Sequence, residues 1–505
     1  MGHHIMGIIQ RQSFKSSIIS YFGVGIGIIS TLYIYPHALE IIGLFRALFD
    51  TSVLIGIVVM MGSSVSAIRF FPQYKDDATG HNGLLSWLLL VSGASFLLFL
   101  LLFPFLDRWL SGFVFRDKNQ IYEDLIIYII PLTFLLALIN LLSRYISNFR
   151  LITIPAIFDQ LTIKITLPVI VIMYLQGWLT VKGVVICIVA SFTFSAFGLI
   201  YYLKYLGEWH LTKPVILKDK AALKEYSRYS WYGLLAGVGS QVAFRIDSLM
   251  VSALIQFQAT GVYSISLALS EVISKPMRSL TAIAGPMLAT HIENNNLDEV
   301  KNIYRKSSLN MTIIGTGLFL MIWTVLPYIF QMMSNTEVMK QGSFVVFFLG
   351  LSQVWDMMTG VNSEIISYSK YYRFTLYLTL FLAVINVIAN FVFIPLYGLP
   401  GAALATCLSM FAFNVVKLVF IKMKFGFYPF TPRIIIVLFF GAAAWVISDI
   451  LPETGSNFFN LMYKGALFIT LFGGAIWRFH ISPDINHWVQ LGWNKGVSLF
   501  QKGRA

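Results

Sequence analysis

The sequence predicts an all-α polytopic membrane protein, on three observations. Of its 505 residues, 57% are hydrophobic and only 12% charged, where soluble domains carry roughly 25% charged residues. The apolar residues gather into runs of about 20, the length at which a helix crosses a bilayer. The basic residues gather between alternate runs. With the N-terminus in the cytoplasm, cytoplasmic segments and the span ends that enter them hold 25 Lys and Arg, and the opposite side holds 5: Arg108, Arg116, Lys118, Lys182 and Lys340. That is the positive-inside asymmetry, and it puts both termini in the cytoplasm. The net charge of +13 fits loops that face anionic lipid, and nucleic acid is not expected as a partner.

Taken in order, 14 spans are expected over residues 16–35, 42–68, 84–106, 121–143, 152–175, 183–203, 229–254, 260–288, 308–331, 342–366, 374–396, 400–421, 432–451 and 460–480. The run over 18–35 ends without a small-residue cleavage pattern, so it reads as a retained span, not a signal peptide. Cys187 and Cys407 both lie in apolar runs, which excludes a disulfide framework. No cofactor and no metal site is expected. The longest connection, 204–228, reads as a short amphipathic helix on the cytoplasmic surface. The expected organisation is a lobe of six spans over 1–206, a linker over 207–228 and a second lobe of six over 229–424. Two further helices follow over 425–482, then an interfacial cytoplasmic tail over 483–505.

An internal repeat supports the two lobes. "GLF" at Gly43 recurs as "GVY" at Gly261, and "GVV" at Gly183 recurs as "GAA" at Gly401, both at an offset of 218 residues. Six is an even number of spans, so the two halves are parallel repeats, a design in which cargo binds between the halves. "QRQSFKSSIISYFGVGIG" before and into the first span, "FRIDSLMVSALI" with "ATGVYSISLALSEVI" across the seventh and eighth, and "IPLYGLPGAALAT" entering the twelfth carry a likeness. With the six-plus-six-plus-two topology, they resemble the polysaccharide flippases of the multidrug/oligosaccharidyl-lipid/polysaccharide exporter superfamily. The resemblance implies a V-shaped, alternating-access transporter in the bacterial inner membrane. Its cargo would be an undecaprenyl-pyrophosphate-linked oligosaccharide, moved from the cytoplasmic to the periplasmic leaflet for cell-surface polysaccharide synthesis. A monomer near the polysaccharide polymerase machinery is expected, with membrane lipids as its other partners.

Charges inside spans are expensive and therefore informative. Of the cations within the expected spans, six are singled out: Arg46, Lys164, Arg245, Lys275, Arg278 and Lys464. Arg46 and Asp50, in "GLFRALFD", are four residues apart and share one helical face. Two readings stand for them: a snorkelling arginine neutralised by Asp50, or a guanidinium facing a central cavity and gripping diphosphate oxygens. Glu271, Lys275 and Arg278 form one stripe along the eighth span beside Pro276, and such a stripe must face protein or water. Arg245 and Asp247 point to different sides of their helix, with Asp247 a candidate link between helices. Asp159 and Lys164 fit either a cavity or an interhelical pair.

The candidate diphosphate-binding set is thus Arg46, Lys164, Arg245, Lys275 and Arg278. The candidate ion-coupling set is Asp50, Asp159, Asp247, Glu271, Asp356 and Glu364, through H⁺, Na⁺ or the membrane potential. Asp356 and Glu364, with Asn386 and Asn390 of the following span, add acidic and polar groups to the second lobe, and a carboxylate flanked by amides can hold Na⁺. The six cations singled out stand against seven carboxylates, the six named and Asp449, so number alone does not separate a flippase from a cation-coupled multidrug antiporter of the same fold. An enzyme is not expected, because every outside loop is too short to assemble a catalytic site.

Overall fold

The computed structural model describes residues 22–113, 124–149, 151, 153–487 and 490. The start of the first span and nearly all of the expected tail lie outside them. Among the described residues every regular element is helical, and 11 helices are long and apolar enough to cross a membrane, or 12 if one bent pair counts as a span. The chain is a multi-pass membrane protein. Two of the 14 expected spans are not in that number. The first enters the description at residue 22 as α1, which passes through a π turn (Ser30–Ile34) and a 3-10 turn (Tyr35–Ala38). The eighth is a 37-residue helix, too polar to qualify on composition.

Contacts divide the chain into two compact units, 1–264 and 265–505. The first holds α2 (Leu39–Met60), α3 (Ser63–Tyr74), α4 (Leu84–Phe113), α5 (Ile129–Ser147), α6 (Thr162–Leu175), α7 (Val181–Tyr205), α8 (Lys220–Leu254) and the opening turns of α9 (Phe257–Glu293). The span expected over 42–68 is broken. The backbone turns left-handed at Met61 (φ 45°) and Gly62 (φ 75°), and a Cβ on Gly62 would lie 2.1 Å from the Ser230 carbonyl oxygen of α8. That close approach needs glycine's freedom.

The partition also differs from the expected lobes, because α8 packs along α2 and α3 inside the first unit. Ser66 and Ser230 hydroxyls meet at 2.7 Å, and Ser63 meets Tyr226 at 3.3 Å. The linker departs from expectation too. After Gly207 the chain runs without helix until a single 3-10 turn (Val215–Lys218), and Asp219 then caps α8 by accepting from the Ala221 and Ala222 amides. With a cap at its start and no proline inside, the amphipathic stretch becomes the first turns of a 35-residue helix. Residues 208–213 instead dock on the loop after α3: the His81 ring lies 2.7 Å from Glu208, and Thr212 donates to the Thr79 carbonyl.

The two matches of the repeat fall at equivalent places. Helices α2 and α9 begin 218 residues apart, and so do α7 and α14 (Leu399–Phe425). Gly43 and Gly261 are each the fifth residue of their helix, and the two helices cross there. A Cβ on Gly43 would fall 1.8 Å from the Phe257 carbonyl oxygen, and one on Gly261 would fall 2.1 Å from that of Leu39. Leu39 and Phe257 are themselves 218 apart, so the contact is reciprocal. Small residues here allow backbone to touch backbone, as in close membrane-helix pairs.

The second unit holds most of α9, then α10 (Leu297–Met332), α11 (Ser343–Met358), α12 (Asn362–Tyr368), α13 (Phe374–Tyr397), α14, α15 (Arg433–Ile450) and α16 (Asn457–Arg478). Helix α10 packs against α11, α15 and α16, while α13 and α14 form a hairpin with α11 against α14. The tenth expected span is not continuous: α11 and α12 meet at a 52° bend.

Candidate functional site

In the first unit, Asp50 joins two arginines. Its carboxylate is fully buried; one oxygen lies 2.7 Å from Arg46 Nε on the same helix. The other accepts from Arg245 Nη1, which comes from α8, and the Ser248 hydroxyl also donates to the carboxylate. Arg245 is held further by Gln241, to which its Nε donates at 2.6 Å, and by the Phe49 ring, 5.3 Å from its Cζ. Each arginine keeps about a quarter of its side chain exposed. Two guanidiniums around one carboxylate leave one net positive charge in a fixed position. The sequence reading paired Arg46 with Asp50 but missed Arg245 as the third member, since that contact spans 195 residues.

Arg245 also lines a cavity of about 400 Å³ within this unit. Phe49, Asn140, Arg144, Asp159 and Gln241 line it as well, together with small and apolar residues of α2 and α8. Arg144 was missed: the charge count placed it in a cytoplasmic connection, although its spacing of four from Asn140 puts both on one face of α5. Of the expected cavity residues, Arg245 and Asp159 are brought together here; Arg46 reaches the cluster through Asp50 and is not a lining residue. Lys164 does not line this cavity; its Cδ lies 3.3 Å from where a Gly23 Cβ would be. Asp247 is buried and accepts from Tyr263 at 3.2 Å, a tie between α8 and the start of α9.

In the second unit, Lys275 stands 3.8 Å from Glu271, with both side chains nearly half exposed, and Arg278 is exposed further along α9. Asp356 of α11 and Glu364 of α12 flank the bend. Asn386 and Asn390 bond each other along α13, while Asn414 donates to Asp356 at 3.0 Å and Asn362 donates to Asn414. Lys417 also belongs to this group, 2% exposed and 3.8 Å from Asp356. By position it falls inside the twelfth expected span, 400–421, but it is not among the six cations singled out from the sequence. Among the described residues no His, Cys, Asp and Glu cluster has the makings of a metal site.

Charged clusters and a cavity with Asp159, Arg144 and Arg245 in its wall stand among membrane spans, an arrangement suited to a transporter. Solved structures of that class share the fold. A lipid II flippase, MurJ, in an inward-closed conformation matches with a TM-score of 0.71 at 13% identity over 92% of this chain and 99% of that one. An inward-facing multidrug resistance MATE family transporter of the MOP superfamily matches with a TM-score of 0.62 at 14% identity, over 79% of this chain and 94% of the other. The chain belongs to the polysaccharide biosynthesis protein family, whose model matches residues 38–290, and the MatE model matches residues 234–392. Both lie in the exporter superfamily that the sequence motifs resembled. No curated protein matches the chain.

Proposed function

We propose that this protein is a flippase for a polyprenyl-diphosphate-linked oligosaccharide, carrying it from the cytoplasmic to the outer leaflet of a bacterial inner membrane by alternating access. The observation that carries the reading is the Arg46–Asp50–Arg245 cluster beside the cavity. A diphosphate bears about two negative charges, and a membrane interior solvates neither these nor the sugars. Guanidiniums already oriented by Asp50 replace the lost solvation without a further ordering cost, while the polar cavity wall receives the glycan and the polyprenyl tail stays in lipid. Lys275 and Arg278 are the cations assigned to the same task in the second unit. No covalent chemistry is assigned to any residue.

A multidrug antiporter of the same fold needs an acidic site for cationic cargo. In the cavity of the first unit Asp159 is accompanied by Arg144 and Arg245, which favours an anionic cargo. The test is an export assay in cells lacking any other such flippase, carrying Arg46→Ala, Arg245→Ala, Lys275→Ala or Arg278→Ala. The arginine variants are expected to trap lipid-linked glycan on the cytoplasmic face and to cut export about tenfold or more, as loss of a charge-assisted pair of 1.5–3 kcal/mol implies. Normal export in all four variants excludes the cationic site.

A further inference from the structure

At the bend between α11 and α12, α14 delivers a lysine into the interior of the second unit. Lys417 Nζ donates to the Ser363 hydroxyl at 3.1 Å, lies 3.8 Å from Asp356 Oδ1 and sits 4.1 Å above the Phe413 ring. Around Asp356 the wall is built of oxygens and amides. Asn414 donates to the carboxylate, and the Asn414 carbonyl accepts from Thr359 at 3.0 Å and Asn362 at 3.1 Å. The ionisable groups facing one another are Asp356 from α11, Glu364 from α12 and Lys417 from α14.

Carboxylate, amide and hydroxyl oxygens at a broken helix are the donor set of a site for a hard monovalent cation. Here an ammonium stands among them. It has the same charge as Na⁺, but it is tethered to the fold and cannot exchange with solution. Lys417 is buried, whereas Asp356 keeps 32% of its side chain exposed, so an ion from solution can reach the carboxylate, and once the amine is removed the negative charge left there attracts another cation in its place. We propose that Lys417 is a built-in cation for the Asp356 site: the native chain takes up no Na⁺ there, and loss of the amine opens the site to Na⁺. The inference holds whichever cargo the first unit carries.

Thermal unfolding of the full-length protein in detergent, in NaCl against choline chloride at equal ionic strength, tests it. The native chain is expected to melt at one temperature in both salts. Lys417→Ala and Lys417→Gln are expected to melt lower in choline and to recover by about 2–4 °C in saturating NaCl. Adding Asp356→Asn to Lys417→Ala removes that recovery, and Lys417→Arg, which keeps a cation, shows none. Na⁺-specific stabilisation of the native chain overturns the proposal, and so does a folded Lys417→Ala or Lys417→Gln protein indifferent to Na⁺. Failure of both neutral variants to fold in either salt counts against it as well, whereas folding in NaCl alone supports it.

Discussion

Asp50 shows how much one buried carboxylate can organise. Removing a partner from a buried ion pair costs about 3–5 kcal/mol; because both arginines are partly exposed, Asp50→Ala is expected to cost less, about 2–3 kcal/mol, read as a fall in melting temperature. Arg245→Lys keeps the charge but loses the fork that serves Asp50 and Gln241 together, so export is expected to fall while the protein stays folded. Outside the spans, Asp76 accepts from Thr79 at 2.7 Å and from the Ala78 amide at 3.1 Å. These bonds, the Thr79 hydroxyl first, hold its carboxyl below the ordinary carboxylate range. The folded-state value is the lower one, so its contribution is present above the unfolded value and is lost as pH falls through the folded value. Hydrogen exchange in the 76–83 loop is therefore expected to rise as pH drops through that range, and Asp76→Asn to remove the step. At this scale the sequence reveals pairs on one helix, such as Arg46 with Asp50. It does not reveal Arg245 or Ser248, because their partnership exists only once α8 lies against α2.

Among the elements, the crossing of α2 with the first turn of α9 admits no side chain on either glycine. Gly43→Ala and Gly261→Ala each force backbone apart and are expected to destabilise by about 1–3 kcal/mol. Both act on one contact, so the double variant should lose less than the sum, a coupling that a double-mutant cycle of melting temperatures measures. The repeat spacing that pointed to these glycines was visible because a duplicated pattern leaves an offset in the sequence. The breaks at Met61–Gly62 and between α11 and α12 were not visible, since each falls inside a stretch long enough to read as a single span. The linker was misread for the opposite reason: its amphipathic pattern was real, but the Asp219 cap joins it to the helix that follows.

For the whole molecule, the distribution of basic residues carries a topology that can be measured. Cysteines introduced at Asn295, Tyr372 and Met423 are expected to react with an impermeant thiol reagent only from the cytoplasmic side, and those at Glu337 and Gly455 only from the outside. Labelling of either set from the wrong side overturns the orientation. Composition and periodicity made the helical class and the spans legible, because both follow from local burial in lipid. Which unit α8 joins, and the placement of Lys417 in the interior, depend on packing between distant segments and were beyond them. The glycine crossing has one more consequence. Gly43 meets Phe257 as Gly261 meets Leu39, which is the pattern of an isologous interface, where the same patch serves both sides of a two-fold axis. Within the first unit, α2 and the first turn of α9 thus present matching surfaces to each other, and neither helix can change its own alone.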